Sequence, residues 1–410
     1  MKLTKKILTL ALAVTVIFGM MGMASCGAEE KPIDTTAVRI GLTGPLSGEN
    51  AIYGISVRNA AQMAVDEINA AGGLANGVLL ELEMVDDQNN PDKIPALYQS
   101  LYANGMNLSM GTVTTTPGRM FKEMAKADNL FVLTPSASGD AIVEYANAYQ
   151  MCFADSEQGI AVAELINEAY TGKTVGVLYQ SSDASSSAVY STFMTYLSRG
   201  LKPEESNVIS FASPNEAILA EAAAELSDCD VIFMPIGRDA AAAFIQAAKS
   251  TVSENAVFLG CDGFFGLANV VGFDVNTVPQ EIFYLSQFDS FATEGPVSEF
   301  IKRYHERYDE SAEPLHPFGA AAYDCVYALR DALNIAIAQG HTINGNIKTE
   351  ELCEILKGIF RGGFEFYGIT GAYVATNRSK MTWDENGMVQ KDPVRCTVKA
   401  AGLPDPDGSR

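Results

Sequence analysis

IGLTGPLSGENAIYG, Ile40–Gly54, places four glycines, Pro45 and the hydroxyls of Thr43 and Ser47 directly after a short apolar run. Such a stretch is a phosphate cradle, a nucleophile turn, or a loop that grips a ligand without changing it, and the residues around it decide among these. No GxGxxG is present, and Pro45-Leu46 between Gly44 and Ser47 breaks the spacing of a GxSxG elbow, so Ser47 reads as a turn residue. The preceding VRIGL reads as a strand. Tyr53 to Ala71 then reads as a helix with Val57, Ala60, Ala61, Ala64, Val65 and Ile68 on one side, stopped by Gly72-Gly73.

Outward from this unit the same alternation continues. VLLELEMVDD, NLSMG and LFVLT read as strands separated by helices, and a second block follows through TVGVLYQ, NVISF, DVIFMPI and AVFLGC. Strands and helices taking turns predict parallel sheets, here two doubly wound α/β units in succession. After Glu281 the order changes, with IFYLSQF, the helix PVSEFIKRYHERY, the apolar helix around GAAAYDCVYALRDALNIAIAQ, a short helix near EELCEILKGI, and a hairpin signal at Glu385–Gly387. Ligands of open α/β sheets sit beyond the carboxyl ends of the strands. The loops there are rich in hydroxyls: GTVTTTPG, TPSASGD and SSDASSS. Hydroxyls and free N–H groups at helix starts suit a bound carboxylate, and they equally suit N-capping.

The N-terminus specifies a compartment. MKLTKK is followed by an uncharged apolar run from Ile7 to Met23, which reads as a secretory leader rather than a membrane span, and MASC leads into Cys26. This resembles a lipobox, with Cys26 as the lipidated residue. The chain carries 28 basic and 50 acidic residues; loss of the leader removes three lysines and no acid, leaving 25 against 50, a charge of −25. So acidic a protein argues against nucleic acid as a partner. The six cysteines after Cys26 are scattered without a CxxC pair, and three histidines without HExxH spacing offer no metal site. TGKT, Thr171–Thr174, lacks the P-loop's first glycine, that position being Asn167, and reads as a helix-to-strand turn.

IGLTGPLSGENAIYG, AAQMAVDEINAAGG, GTVTTTPG, LTPSASG, AAYDCVYALRDAL and GITGAYV with WDENG occur in this order. Together they resemble the branched-chain amino acid (leucine/isoleucine/valine-type) substrate-binding proteins of ABC transporters, of type I periplasmic binding fold. The resemblance implies two lobes joined by three crossings of the chain: leader 1–26, tether 27–37, lobe 1 at 38–153 and 287–366, lobe 2 at 154–286 and 367–410. It implies a ligand carboxylate held by Thr115, the backbone of Ala137, and Ser138, and a ligand ammonium held by Asp262. Tyr53 and Phe318 would pack on the ligand. From the residues alone Asp262 is a cation partner or a turn-former, and Tyr53 a ligand contact or a helix-start apolar residue.

Two departures stand out. Ala184-Ser185 and Ile236-Gly237 occupy positions where the family often has aromatics, which implies a wider or more polar side-chain pocket. No cysteine lies in VDDQNN or GTVTTT, so no disulfide joins those loops. The expectation is a lipid-anchored monomer on the outer face of the cytoplasmic membrane or in the periplasm, with no cofactor and no covalent chemistry, delivering a small zwitterionic solute, an amino acid, to ABC permease subunits. The alternatives are a sensor lipoprotein for a receptor, a binding protein for a non-amino-acid solute, a secreted hydrolase, and a structural surface protein.

Overall fold

The computed structural model describes residues 36–309, 311, 313–372 and 378–398, all within the unit Thr35–Arg410. The leader, Cys26 and the tether as far as residue 35 lie outside the described residues. Among the described residues no helix is long and apolar enough to cross a membrane.

The first sheet has the order β2-β1-β3-β4-β5, formed by β1 Val38–Gly44, β2 Leu80–Asp86, β3 Leu108–Thr112, β4 Val132–Thr134 and β5 Ala148–Gln150, all parallel. Between them run α1 Ala51–Ala70, α2 Ile94–Ala103 and α3 Thr115–Ala127. α1 begins close to the sequence expectation, and Gly72 and Gly73 stop it with φ of 104° and 81°, values that glycine adopts without strain. One face of the sheet carries a core of Ile40, Leu42, Val57, Ala61 and Phe131, completed by α8 Gly295–Arg307, α9 Pro317–Ala338 and α10 Thr349–Arg361. The other face packs Tyr98, Leu101 and Phe121 from α2 and α3.

The second sheet, β14-β10-β9-β8-β6-β7, repeats that winding. It contains β6 Val175–Gln180, β7 Val208–Phe211, β8 Val231–Met234, β9 Val257–Gly260 and β10 Glu281–Ser286, with β14 Val394–Thr397 added antiparallel at one edge. α4 Asp155–Ala169 and α5 Ala184–Tyr196 cover one face, α6 Glu216–Glu225 and α7 Arg238–Ala248 the other. Both sheets reverse strand order beside their first strand, where β1 meets β3 and β6 meets β8. Those are the points at which open α/β sheets hold ligands.

The tail departs from the expected division. β11 Phe366–Gly368, β12 Ser379–Trp383 and β13 Val389–Gln390 form a small antiparallel sheet, with the hairpin at Glu385–Gly387 as expected. Ile369, Met381, Trp383 and Val389 lie in the first core, and Trp383 Nε1 donates to the Gln150 carbonyl at 2.7 Å. The described residues of 367–390 therefore pack with the first lobe, and the chain passes to the second only before β14. A run too short and polar to show its own core gave no sign of which lobe would bury Trp383. TGKT forms the turn between α4 and β6.

Candidate functional site

The first lobe presents three loops at the carboxyl ends of β1, β3 and β4. After β1, the Leu46 N–H and Ser47 hydroxyl donate to the Asp86 carboxylate at 2.8 and 2.6 Å. α1 then starts so close that a Cβ on Gly54 would lie 1.9 Å from the Pro45 carbonyl oxygen, which reserves that position for glycine. Thr114 Oγ1 donates to Asn89 Oδ1 at 2.8 Å, tying the VDDQNN loop to the one after β3 without a disulfide.

Thr115 opens α3, and its Oγ1 accepts the Gly139 N–H at 3.1 Å. Its hydroxyl proton thus remains available to a ligand. Ala137 is buried: its N–H donates to Thr134 Oγ1 at 3.3 Å and its carbonyl accepts from Gln150 Nε2 at 2.6 Å. The Ala137 backbone is engaged in bracing the loop. Ser138, half-buried, takes the Asp155 N–H on its carbonyl at 2.9 Å.

Across the cleft, Asp155 begins α4 and is also held by the Ser185 hydroxyl at 2.7 Å. Burial raises its pKa. Asp262 opens the turn after β9, and its Oδ1 is enclosed without a hydrogen-bond partner among the described residues. Burial pushes its pKa up to about 7 against the opposing pull of Lys391, with Asp155 adding to the rise. A buried carboxyl oxygen without a donor favours the protonated acid.

Aromatic rings join the lobes. Tyr53 meets His316 at 4.9 Å and Phe318 at 5.8 Å between centroids, and Phe265, from the turn that Asp262 opens, meets His316 at 4.7 Å. His316 caps α9: its Nδ1 accepts the Phe318 N–H at 3.2 Å and its own N–H donates to Ser56 Oγ at 2.8 Å. Burial, with Arg238 pressing the same way, lowers its pKa to about 3, so the imidazole is neutral. Ile236 is buried in the second lobe's own core, so the aromatic wall comes from Phe265 and His316 instead of the family's usual position.

Beneath the site, Lys391 links all three crossings. Its Nζ donates to the Met151 carbonyl at 2.7 Å, Thr370 Oγ1 at 2.9 Å and Gln287 Oε1 at 3.3 Å. Asp324, enclosed nearby, accepts from the N–H groups of Ile369 and Thr370 and the Thr370 hydroxyl.

The structure thus gathers Tyr53 with Phe318, Thr115 with the Ser138–Gly139 turn, and Asp262 with Asp155. Sequence reasoning missed Asp155, Arg238, Phe265, His316 and Lys391. The only signals for them were the doubled phenylalanine in GCDGFFG and the HPF run, neither of which says that the two would meet.

The profile of the family described as "Periplasmic binding protein" matches residues 37–360. Over 167 residues the chain is 30% identical to the leucine-, isoleucine-, valine-, threonine- and alanine-binding protein of Pseudomonas aeruginosa, covering 40% of this chain and 43% of that protein. The chain spans less than half the length of the curated relatives it matches. Its fold matches the branched-chain amino acid transporter substrate binding protein LivJ of Streptococcus pneumoniae in complex with isoleucine, with TM-score 0.65, 22% identity, and 88% and 99% of the two chains covered. It also matches a solute binding protein of Rhodopseudomonas palustris in complex with 3,4-dihydroxybenzoic acid, with TM-score 0.69, 17% identity, and 88% and 93% covered.

Proposed function

The chain belongs to the periplasmic binding protein family, and from that premise we propose that it captures an amino acid between its lobes and delivers it to an ABC permease. The observation that carries this reading is Asp262: an acid opening the turn after β9 in the second lobe, with an enclosed oxygen that has no hydrogen-bond partner among the described residues. The ligand ammonium binds Asp262, its carboxylate accepts from Thr115 and the Ser138–Gly139 turn, and its side chain lies among Tyr53, Phe265 and Phe318. Ala137 holds the loop in shape. Each half of the site stands on a different lobe, so occupancy favours closure, and a permease can read the closed state. The leader and Cys26 make the protein a lipoprotein held at the outer face of the membrane, working as a monomer. No step in this function requires covalent chemistry.

A thermal-shift screen of amino acids, short peptides, polyamines and aromatic carboxylates tests the reading. A ligand at a hundred times its dissociation constant adds about 2.7 kcal/mol of stability. A shift confined to amino acids supports the proposal. A shift only with aromatic carboxylates overturns the amino acid assignment, and no shift with any solute overturns the binding role.

A further inference from the structure

Arg238 is the residue that the amino acid head group leaves unexplained. It is the first residue of α7, directly after Ile236-Gly237, where the family's aromatic is missing. Its side chain turns back over the loop after β9: a Cβ built on Gly266 would stand 2.8 Å from its Nη1, and Gly266 has φ +76°. The bare glycine thus gives the guanidinium room to lie against this loop. The charge of the same guanidinium helps to lower the pKa of His316, which belongs to the first lobe. Arg238 is only half-buried and forms no hydrogen bond or ion pair among the described residues.

The surroundings give this cation a setting. Phe265, His316, Phe318 and Tyr53 form a continuous ring cluster from the second lobe into the first, with centroid separations of 4.5 to 5.8 Å. Asp262 and Phe265 sit at opposite ends of one short turn, Asp262 to Phe264 and its cap. An amino acid held by its ammonium at Asp262 therefore directs its side chain toward the rings and the guanidinium. A branched aliphatic side chain would fill the ring-lined space and leave the arginine unpaired. A side chain with a short apolar stem ending in a carboxylate satisfies both, because guanidinium and carboxylate pair in bidentate, charge-assisted geometry.

We propose that Arg238 is a specificity-determining residue that selects an amino acid with an acidic side chain, of the length of glutamate or aspartate, over the branched-chain amino acids. This rests on the reading of the cleft as an amino acid site. It makes the missing aromatic at 236–237 an exchange of function, in which an apolar wall is replaced by a cation reaching the same space from the next residue.

The test is isothermal titration of the purified protein and of Arg238→Gln and Arg238→Lys with glutamate, aspartate, glutamine, leucine and benzoate, with circular dichroism to establish that each variant is folded. The expected result is that the wild type binds glutamate or aspartate at least about 30-fold more tightly than glutamine or leucine, the scale of a hydrogen bond to a charged group. Arg238→Gln brings glutamate to within about threefold of glutamine, and Arg238→Lys restores part of the acid preference. Wild-type preference for leucine, or an acid preference that survives in Arg238→Gln, overturns the inference while the amino acid reading stands. Binding of benzoate and no amino acid overturns both.

Discussion

Replacing Lys391 by methionine keeps most of the side chain's volume and deletes its ammonium. Three acceptors lose their donor: the Met151 carbonyl, Thr370 Oγ1 and Gln287 Oε1, now bonded at 2.7, 2.9 and 3.3 Å. Asp324 retains the N–H groups of Ile369 and Thr370 at 3.0 and 2.8 Å, but both Asp324 and Asp262 lose the opposing charge of the lysine. Lys391 bonds neutral acceptors and meets the carboxylates only through their charge, and removing one partner from a buried set of opposite charges costs about 3–5 kcal/mol. Against a total stability of about 5–15 kcal/mol this is a large fraction. The cost should also depend on pH. Asp262 already holds its proton to about pH 7, above its ordinary 3.8, and loss of Lys391 raises it further. An acid whose folded pKa is raised weakens the fold above its unfolded pKa, and that penalty fades as pH falls toward 4. Urea unfolding at pH 8 and pH 5 should therefore show Lys391→Met destabilised at both, and more at pH 8. A loss below about 1 kcal/mol at pH 8 would refute the account of the buried lysine, and an equal loss at both pH values would refute its coupling to Asp262.

Asp262→Ala should weaken amino acid binding by about 2–5 kcal/mol by leaving a buried ammonium unpaired; calorimetry reads the effect, and unchanged affinity would remove Asp262 from the site. Because the ammonium requires ionised Asp262, wild-type affinity should rise from pH 5 to about pH 7 and level off above it; Lys391, Asp155, Cys152, Cys261, Tyr284 and Cys396 are the titratable groups around this carboxyl. Thr115→Val should cost about 1.5–3 kcal/mol of binding, as a hydrogen bond to a charged group is lost and the Gly139 N–H loses its acceptor; a wild-type titration curve would mean that the loop does not touch ligand. His316 should stay neutral in nuclear magnetic resonance titrations down to about pH 3. As the unfolded chain takes up that proton near 6.5, His316 removes stability as pH falls below this value; an imidazole titrating near 6.5 in the folded protein would contradict the burial. The thiols of Cys229, Cys261, Cys353 and Cys396 are pushed up to about 11 or 12 by burial, so the native protein should resist thiol reagents at pH 8 until it is unfolded.

The alternation of apolar runs with amphipathic stretches determined both sheets, because periodicity is a local property and burial on both faces writes it into the central strands, such as Leu108–Thr112 and Val231–Met234. Loop composition likewise marked where Thr115, Ser138 and Asp262 would stand, since strand ends, turns and caps are set by near neighbours. What lay beyond the sequence was which distant residues meet. The packing of the described residues of 367–390 with the first lobe depends on Trp383 finding Phe360, Phe364 and the Gln150 carbonyl. The ring cluster depends on Phe265 reaching His316 from the other lobe, and the role of Lys391 depends on three crossings, separated by more than a hundred residues each, running side by side. Side chains carry no mark of a partner that far along the chain. Only closure of the tertiary fold brings a buried lysine near two carboxylates, or lays an arginine against a distant loop with no hydrogen-bond partner among the described residues.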